Sequence, residues 1–180
     1  MVTSVVLIRH AASEVLNGEP RIPGPSLTSE GKRQAKKTAS LFEGVSFSAV
    51  YSSNMSRALE TVKLITSEEV VVAEELSEFN KIVFEEEPEF VDKFNDNIEL
   101  ALSAKAFFEK ILRKHRDSKL LVVTHGNVIR YLVSFFLKLK PHSAPNFLVS
   151  NASITHLFFD GNELVSVGCV NSTAHLLIKD

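Results

Sequence analysis

Four side chains are of the kind needed to displace a group at phosphorus: Arg9, His10, Arg57 and His125. Attack on a phosphate monoester requires an in-line nucleophile, cationic donors for the equatorial oxygens and an acid for the leaving alkoxide. A histidine with an ordinary pKa near ~6.5 is largely neutral at pH 7 and can be that nucleophile. Which ring nitrogen attacks depends on the hydrogen bond made by the other, which spacing leaves open. Arg9 adjoins His10 and can fork onto phosphate oxygens. Arg57 opens a helical pattern just after Tyr51-Ser52-Ser53, and His125 offers a further donor. Singly these are weak signals, because Arg-His pairs are common and most histidines are structural.

Their placement is what strengthens them. Val5 to Ile8 and Leu120 to Val123 are short apolar runs rich in β-branched residues, as in strands buried on both faces of a parallel sheet, and Ala49 to Tyr51 and Val70 to Ala73 are further strand candidates. Helical patterns separate them. One starts at a Thr28 or Ser29 cap and runs to about Phe42. A second is capped by Asn54, and a third spans about Phe90 to His115. A fourth follows Asn127, with Val128, Ile129, Leu132, Val133, Phe136 and Leu137 facing in and Arg130, Ser134 and Lys138 facing out. Asp160-Gly161 parts two strand-like runs as a hairpin. Alternating strands and helices predict a single α/β domain over 1–180, a three-layer α/β/α sandwich with a mostly parallel central sheet. Ligands bind such sheets at the carboxyl ends of the strands. His10 and His125 each follow an apolar strand directly, so both fall on that edge, and the fourth helix turns its N-terminal amides the same way.

Composition excludes several other classes. A net charge of −2 gives no reason to expect nucleic-acid binding. Neither G-x-G-x-x-G nor G-x-x-x-x-G-K-[ST] occurs, and no histidine pair has zinc-site spacing. The longest apolar stretch, Val128 to Leu139, is too short and too interrupted to cross a membrane. The N-terminal run reads as a first strand and not a signal peptide. The one cysteine, Cys169, reads as a small buried apolar residue and points to a reducing, cytoplasmic setting. His115, His142, His156 and His175 read as structural or surface residues. Between Glu68 and Glu99 lie twelve acidic residues and two lysines, a net of −10 against +8 for the remainder, which predicts an acidic flap over about 74–99 beside the site.

The segment Leu7-Ile8-Arg9-His10-Ala11 resembles the opening RHG motif of the histidine phosphatase superfamily, also called phosphoglycerate mutase-like. Asn17, Arg21 and Gly24 resemble its N-x3-R-x2-G continuation, and Leu27 to Ala35 its LT-x2-G-x2-QA helix start. Ser52 to Thr61 is similar to the second phosphate-arginine motif, Val123-Thr124-His125-Gly126 to the second histidine motif, and Asn151-Ala152-Ser153 with Ala174-His175-Leu176 to the C-terminal strands. The likeness covers nearly the whole chain and points to its small phosphatase branch.

That resemblance implies a phosphohistidine on His10, a phosphate pocket of Arg9, Arg57 and His125, and further substrate contacts at Asn17, Arg21, Gly24 and Gly126. It implies no metal and no other cofactor. The family's acid corresponds to Glu78 in Leu76-Ser77-Glu78, with Glu74, Glu75 and Glu85 as neighbouring competitors whose crowding would raise one carboxyl pKa by repulsion. The chain departs from the pattern at Ala11, which replaces a glycine, in the spacing of Asn17, and in the run Phe79 to Glu85. The implied activity is metal-independent phosphomonoester hydrolysis on a phosphorylated small molecule or phosphoprotein, with no nucleic-acid or membrane partner and a homodimer left open. A phosphoglycerate mutase-type phosphotransferase and a non-catalytic phosphoprotein-binding module on the same fold are the alternatives. If the −10 segment faces the pocket, it disfavours polyanions. Added salt then raises the rate on a bisphosphate more than on a monophosphate; equal responses in a salt titration would rule that placement out.

Overall fold

The computed structural model describes residues 2–14, 23–79 and 95–178. Asn17, Arg21, Phe84, Glu85, Phe90 and most of the acidic flap lie outside them. A six-stranded sheet runs in the order β3-β2-β4-β1-β5-β6. Its strands are β1 (Thr3–Arg9), β2 (Ala49–Ser53), β3 (Val70–Ala73), β4 (Lys119–Thr124), β5 (Ile154–Asp160) and β6 (Glu163–Ser172). β1 to β4 are mutually parallel, whereas β5 and β6 are antiparallel additions at one side. The helices are α1 (Ser29–Ser40), α2 (Ser56–Ile65), α3 (Asn95–Lys114) and α4 (Gly126–Phe136).

Successive side chains of a strand point to opposite faces, and the apolar runs of β1 and β4 use both. Val5, Leu7, Leu120 and Val122 pack with Phe108 and Leu112 of α3 and Val128 and Leu132 of α4. Val6, Ile8, Leu121 and Val123 pack on the other side with Ala58 and Val62 of α2. The result is the three-layer arrangement expected from the sequence. Gly161, at φ +58°, makes the β5–β6 turn that the Asp160-Gly161 pair predicts.

Local chemistry moves several boundaries. Thr28 caps α1 as expected, its Oγ1 accepting from Gly31 N–H at 2.9 Å, worth about 1 kcal/mol. Asn54 does not cap α2: Met55 holds the cap position without a side-chain bond, and Asn54 Oδ1 accepts from Ser77 Oγ at 2.7 Å. Asn127 lies inside the first turn of α4 and His125 at its cap. Ser134, expected to face out, is buried, with no partner for its Oγ among the described residues. Cys169 is half-buried, its Sγ pointing at Ile154 O.

Three contacts fix the loop after His10. Thr28 N–H donates to Ala12 O at 3.0 Å, tying the loop to the start of α1. A β-carbon on Gly31 would lie 1.9 Å from that same carbonyl oxygen, so only glycine permits the approach. On the other side Ala152, in the left-handed region at φ 54°, donates its N–H to Arg9 O and His10 O. Gly31→Ala is expected to cost about 1–3 kcal/mol, the usual range for forced overpacking, read as a lower urea midpoint; an unchanged midpoint would show that the loop yields freely.

Candidate active site

The sheet register brings the chemistry together. β1 and β4 pair in parallel with Arg9 opposite Thr124, so the next residues, His10 and His125, leave the same edge side by side. Their ring centroids are 5.1 Å apart. β2 pairs with β4 on the other flank and ends at Ser53, opposite Ala73 of β3. Arg57 is the second residue of α2, in its first turn, and is buried.

His10 Nδ1 lies 2.8 Å from Ala11 O, which can only accept, so Nδ1 carries the proton. Nε2 is therefore the lone-pair nitrogen, and Arg57 Nε donates to it at 3.1 Å. Burial, with Arg57 and Arg9 nearby, pushes the His10 pKa down to about 3 despite the Ala11 bond. His125 is fully buried and held well below its ordinary pKa by burial first, then by His10 and the two arginines. Its Nε2 lies 2.8 Å from Ser53 Oγ. Arg9 Nη1 donates to Val149 O at 2.7 Å, which anchors the guanidinium. A β-carbon on Gly126 would press on Arg9 Nε at 3.4 Å, so the glycine leaves room for that side chain.

Ala11 answers the departure noted in the sequence. It is absent from the residues with positive φ, is fully buried, and donates its N–H to Thr61 Oγ1 at 3.0 Å. Thr61 Oγ1 in turn donates to Arg57 O at 2.6 Å, so one hydroxyl links the nucleophile loop to the arginine helix. Alanine therefore costs nothing in backbone strain. Gly24 does lie at φ 76°, where glycine is favoured.

Glu78 follows the turn Glu74–Leu76 and is half-buried near Arg57 and Arg9. Burial pushes its carboxyl pKa up, opposed by the two arginines and by N–H groups of Asn127 and Phe79. Among the described residues no neighbouring carboxylate contributes, so desolvation is the leading cause of the rise and Glu74 and Glu75 add no repulsion to it; Glu85 lies outside the described residues. Glu74 is exposed and Glu75 partly so, on a turn whose buried residue is Leu76. Asn127 Nδ2 donates to Phe79 O at 2.8 Å and fastens this segment to α4. Sequence reasoning missed Ser53, Thr61, Asn127 and Asn151, the last of which donates to His10 O at 3.1 Å. Their signal is positional: Ser53, Thr61 and Asn151 lie within motifs quoted in the sequence, and Asn127 directly follows one.

Both histidines are neutral in the fold and protonated in the unfolded chain below pH ~6.5. The unfolded state thus binds more protons between pH 6.5 and about 3, so stability rises with pH across that window and is lost on acidification. Between pH 5 and pH 6 the wild type should gain about 1 kcal/mol more unfolding free energy than His10→Ala. Urea denaturation at the two pH values checks this, and equal gains would show that His10 is not held neutral.

Among the described residues, no helix is long and apolar enough to cross a membrane. Residues 5–172 match the family model described as histidine phosphatase superfamily, branch 1. The serine/threonine-protein phosphatase Pgam5, mitochondrial, of Drosophila mojavensis is 30% identical over 189 residues, covering 97% of this chain and 65% of that protein. The human relative of the same name is 27% identical over 186 residues, covering 96% of this chain and 63% of that protein. The chain thus spans slightly under two thirds of these relatives. A mutant phosphoserine phosphatase from Entamoeba histolytica, solved with phosphoserine, superposes with a TM-score of 0.79 at 24% identity, covering 97% of this chain and all of that one. The alpha-ribazole phosphatase of Shigella flexneri gives a TM-score of 0.73 at 19% identity, covering 94% and 96%. With the family's fold across 5–172 and paired histidines and arginines at one sheet edge, this chain belongs to the histidine phosphatase superfamily, branch 1.

Proposed function

We propose that this chain is a single-domain, metal-independent phosphomonoesterase that works through a phosphohistidine at His10 Nε2. The observation that carries the reading is the pair of contacts on His10: Nδ1 is spent on Ala11 O, and Nε2 keeps its lone pair beside Arg57. On binding, a phosphate oxygen takes over the Arg57 donor, which uncovers the lone pair. Nε2 then attacks phosphorus while Arg9, Arg57 and His125 hold the equatorial oxygens. The P–O bond to the leaving group breaks as the Glu78 carboxyl delivers its proton to the alkoxide. In the second half, the Glu78 carboxylate takes a proton from water, water oxygen attacks phosphorus, and the P–N bond breaks to regenerate neutral His10. The raised pKa of Glu78 supports the acid role, since an ordinary carboxyl is ionised at neutral pH.

Relatives named serine/threonine-protein phosphatase and phosphoserine phosphatase make phosphoserine, free and within peptides, the first substrates to try. The lone cysteine fits a reducing compartment such as the cytoplasm, although the Pgam5 relatives are named mitochondrial. A homodimer remains compatible with the reading.

A phosphomonoester panel with wild type and His10→Ala in parallel tests the proposal. Phosphate should be released by the wild type only, and because the P–N bond of phosphohistidine is acid-labile, an alkaline quench should find phosphate on His10. Retained turnover in His10→Ala would overturn it, and bisphosphoglycerate-dependent isomerisation would favour the mutase. Glu78→Gln should slow alkyl phosphates about 100-fold while sparing activated aryl phosphates. For wild type, the alkyl rate should fall as pH rises through the elevated Glu78 pKa, and equal losses on both substrate classes would remove Glu78 as the acid.

A further inference from the structure

His10 and His125 are both buried and neutral, and a neutral imidazole has one N–H to place. For His10 the carbonyl of Ala11 decides the position. His125 has no carbonyl or carboxylate partner among the described residues: its Nε2 meets the hydroxyl of Ser53, and its Nδ1 is buried with no protein partner. A hydroxyl can donate or accept, so the contact alone leaves the proton unassigned.

The surroundings of Ser53 assign it. Ser53 is fully buried at the end of β2. Its Oγ already accepts from Met55 N–H at 3.2 Å, and among the described residues the one acceptor for its O–H is His125 Nε2 at 2.8 Å. With the proton on Nε2, the Ser53 hydroxyl would be a buried donor without an acceptor and Nδ1 a buried acceptor without a donor. With the proton on Nδ1, the run Met55 N–H to Ser53 Oγ–H to Nε2 is complete. One group then stays unpaired, the Nδ1–H of a ring 5.1 Å from that of His10.

We propose that Ser53 is a positioning residue that fixes the tautomer of His125, keeping the proton on Nδ1 so that the ring donates to a phosphate oxygen. This rests on the phosphatase reading above. It gives the two histidines opposite tautomeric uses: His10 offers a lone pair from Nε2, and His125 offers a hydrogen from Nδ1. Ser53 itself touches no reacting atom. Without its hydroxyl the Nε2 lone pair loses its donor, and the proton is free to move there, turning a phosphate donor into a repelling lone pair.

Long-range 1H–15N correlation spectra of the full chain report which nitrogen of a neutral histidine carries the proton, and His125→Gln assigns the signals. Wild type should show His125 protonated at Nδ1. Ser53→Ala should show protonation at Nε2, with kcat on p-nitrophenyl phosphate lowered about ten-fold, a fraction of what loss of a whole oxyanion donor costs. Ser53→Thr, which keeps the hydroxyl, should restore both the Nδ1 signal and the rate. An Nε2–H signal in wild type, or an unchanged Nδ1–H signal in Ser53→Ala, would overturn the proposal. If Ser53→Ala does not fold, the wild-type and Ser53→Thr spectra still decide the tautomer. Persistent activity in His10→Ala would instead sink the phosphatase reading and leave the tautomer result standing.

Discussion

The contact between Arg57 Nε and His10 Nε2 sets terms that the rest of the structure must meet. A phosphate dianion needs positive charge close by, and a histidine nucleophile needs to stay neutral in the same place. Those demands conflict in water, where a ring beside two cations still protonates at moderate acidity. Burial resolves the conflict by the same sign as the arginines: desolvation and like charge both disfavour the imidazolium, and together they hold its pKa near 3. The Ala11 carbonyl works against them, yet it is indispensable because it decides which nitrogen keeps the lone pair.

Meeting these terms depends on the sheet more than on any loop. Two adjacent parallel strands in a register that pairs Arg9 with Thr124 place the histidines side by side without further instruction. The loop after His10 is then gripped from three directions, by the glycine approach at α1, by Thr61 on α2, and by the left-handed Ala152 before β5. Each grip uses backbone or a short side chain, so little conformational entropy remains to be lost there when a ligand arrives. Strain at Ala152 sits where the strand must turn its N–H onto two consecutive carbonyls, a local distortion over-determined by its surroundings.

Much of this was readable from the chain because the signals were periodic or positional. Continuous apolar runs marked β1 and β4, and a histidine after each marked the functional edge. The Thr28 cap and the Gly161 turn followed from side-chain chemistry that acts over two or three residues. What stayed hidden required partners distant in sequence. Asn54 looked like a cap but bonds Ser77, which comes near only after β3 forms. Ser134 looked like a solvent-facing position on α4 because its helix pattern does not report what packs on the far side. The leading cause of the Glu78 shift is hidden for the same reason: sequence proximity suggests repulsion among carboxylates, whereas the fold buries Glu78 and leaves Glu74 exposed. Asn17 and Arg21 fall outside the described residues, so their pocket roles rest on resemblance alone.

The distribution of unpaired polar atoms carries the argument one step further. Among the described residues Arg9 Nε and His125 Nδ1, like the hydroxyls of Ser134 and Ser153, are buried without a protein partner, and each such group costs about 1–3 kcal/mol. Arg9 and His125 are residues on the phosphate edge, and both unpaired nitrogens are donors under the tautomer inferred for His125. By contrast, every polar atom that orients them is satisfied: Arg9 Nη1 by Val149 O, Ser53 by Met55 N–H, Ala11 N–H by Thr61. Leaving these two donors on the phosphate edge without a protein acceptor costs stability that a ligand can return. An acceptor with several oxygens and negative charge can meet both donors at once, which is the description of a phosphoryl group and not of an apolar or cationic ligand.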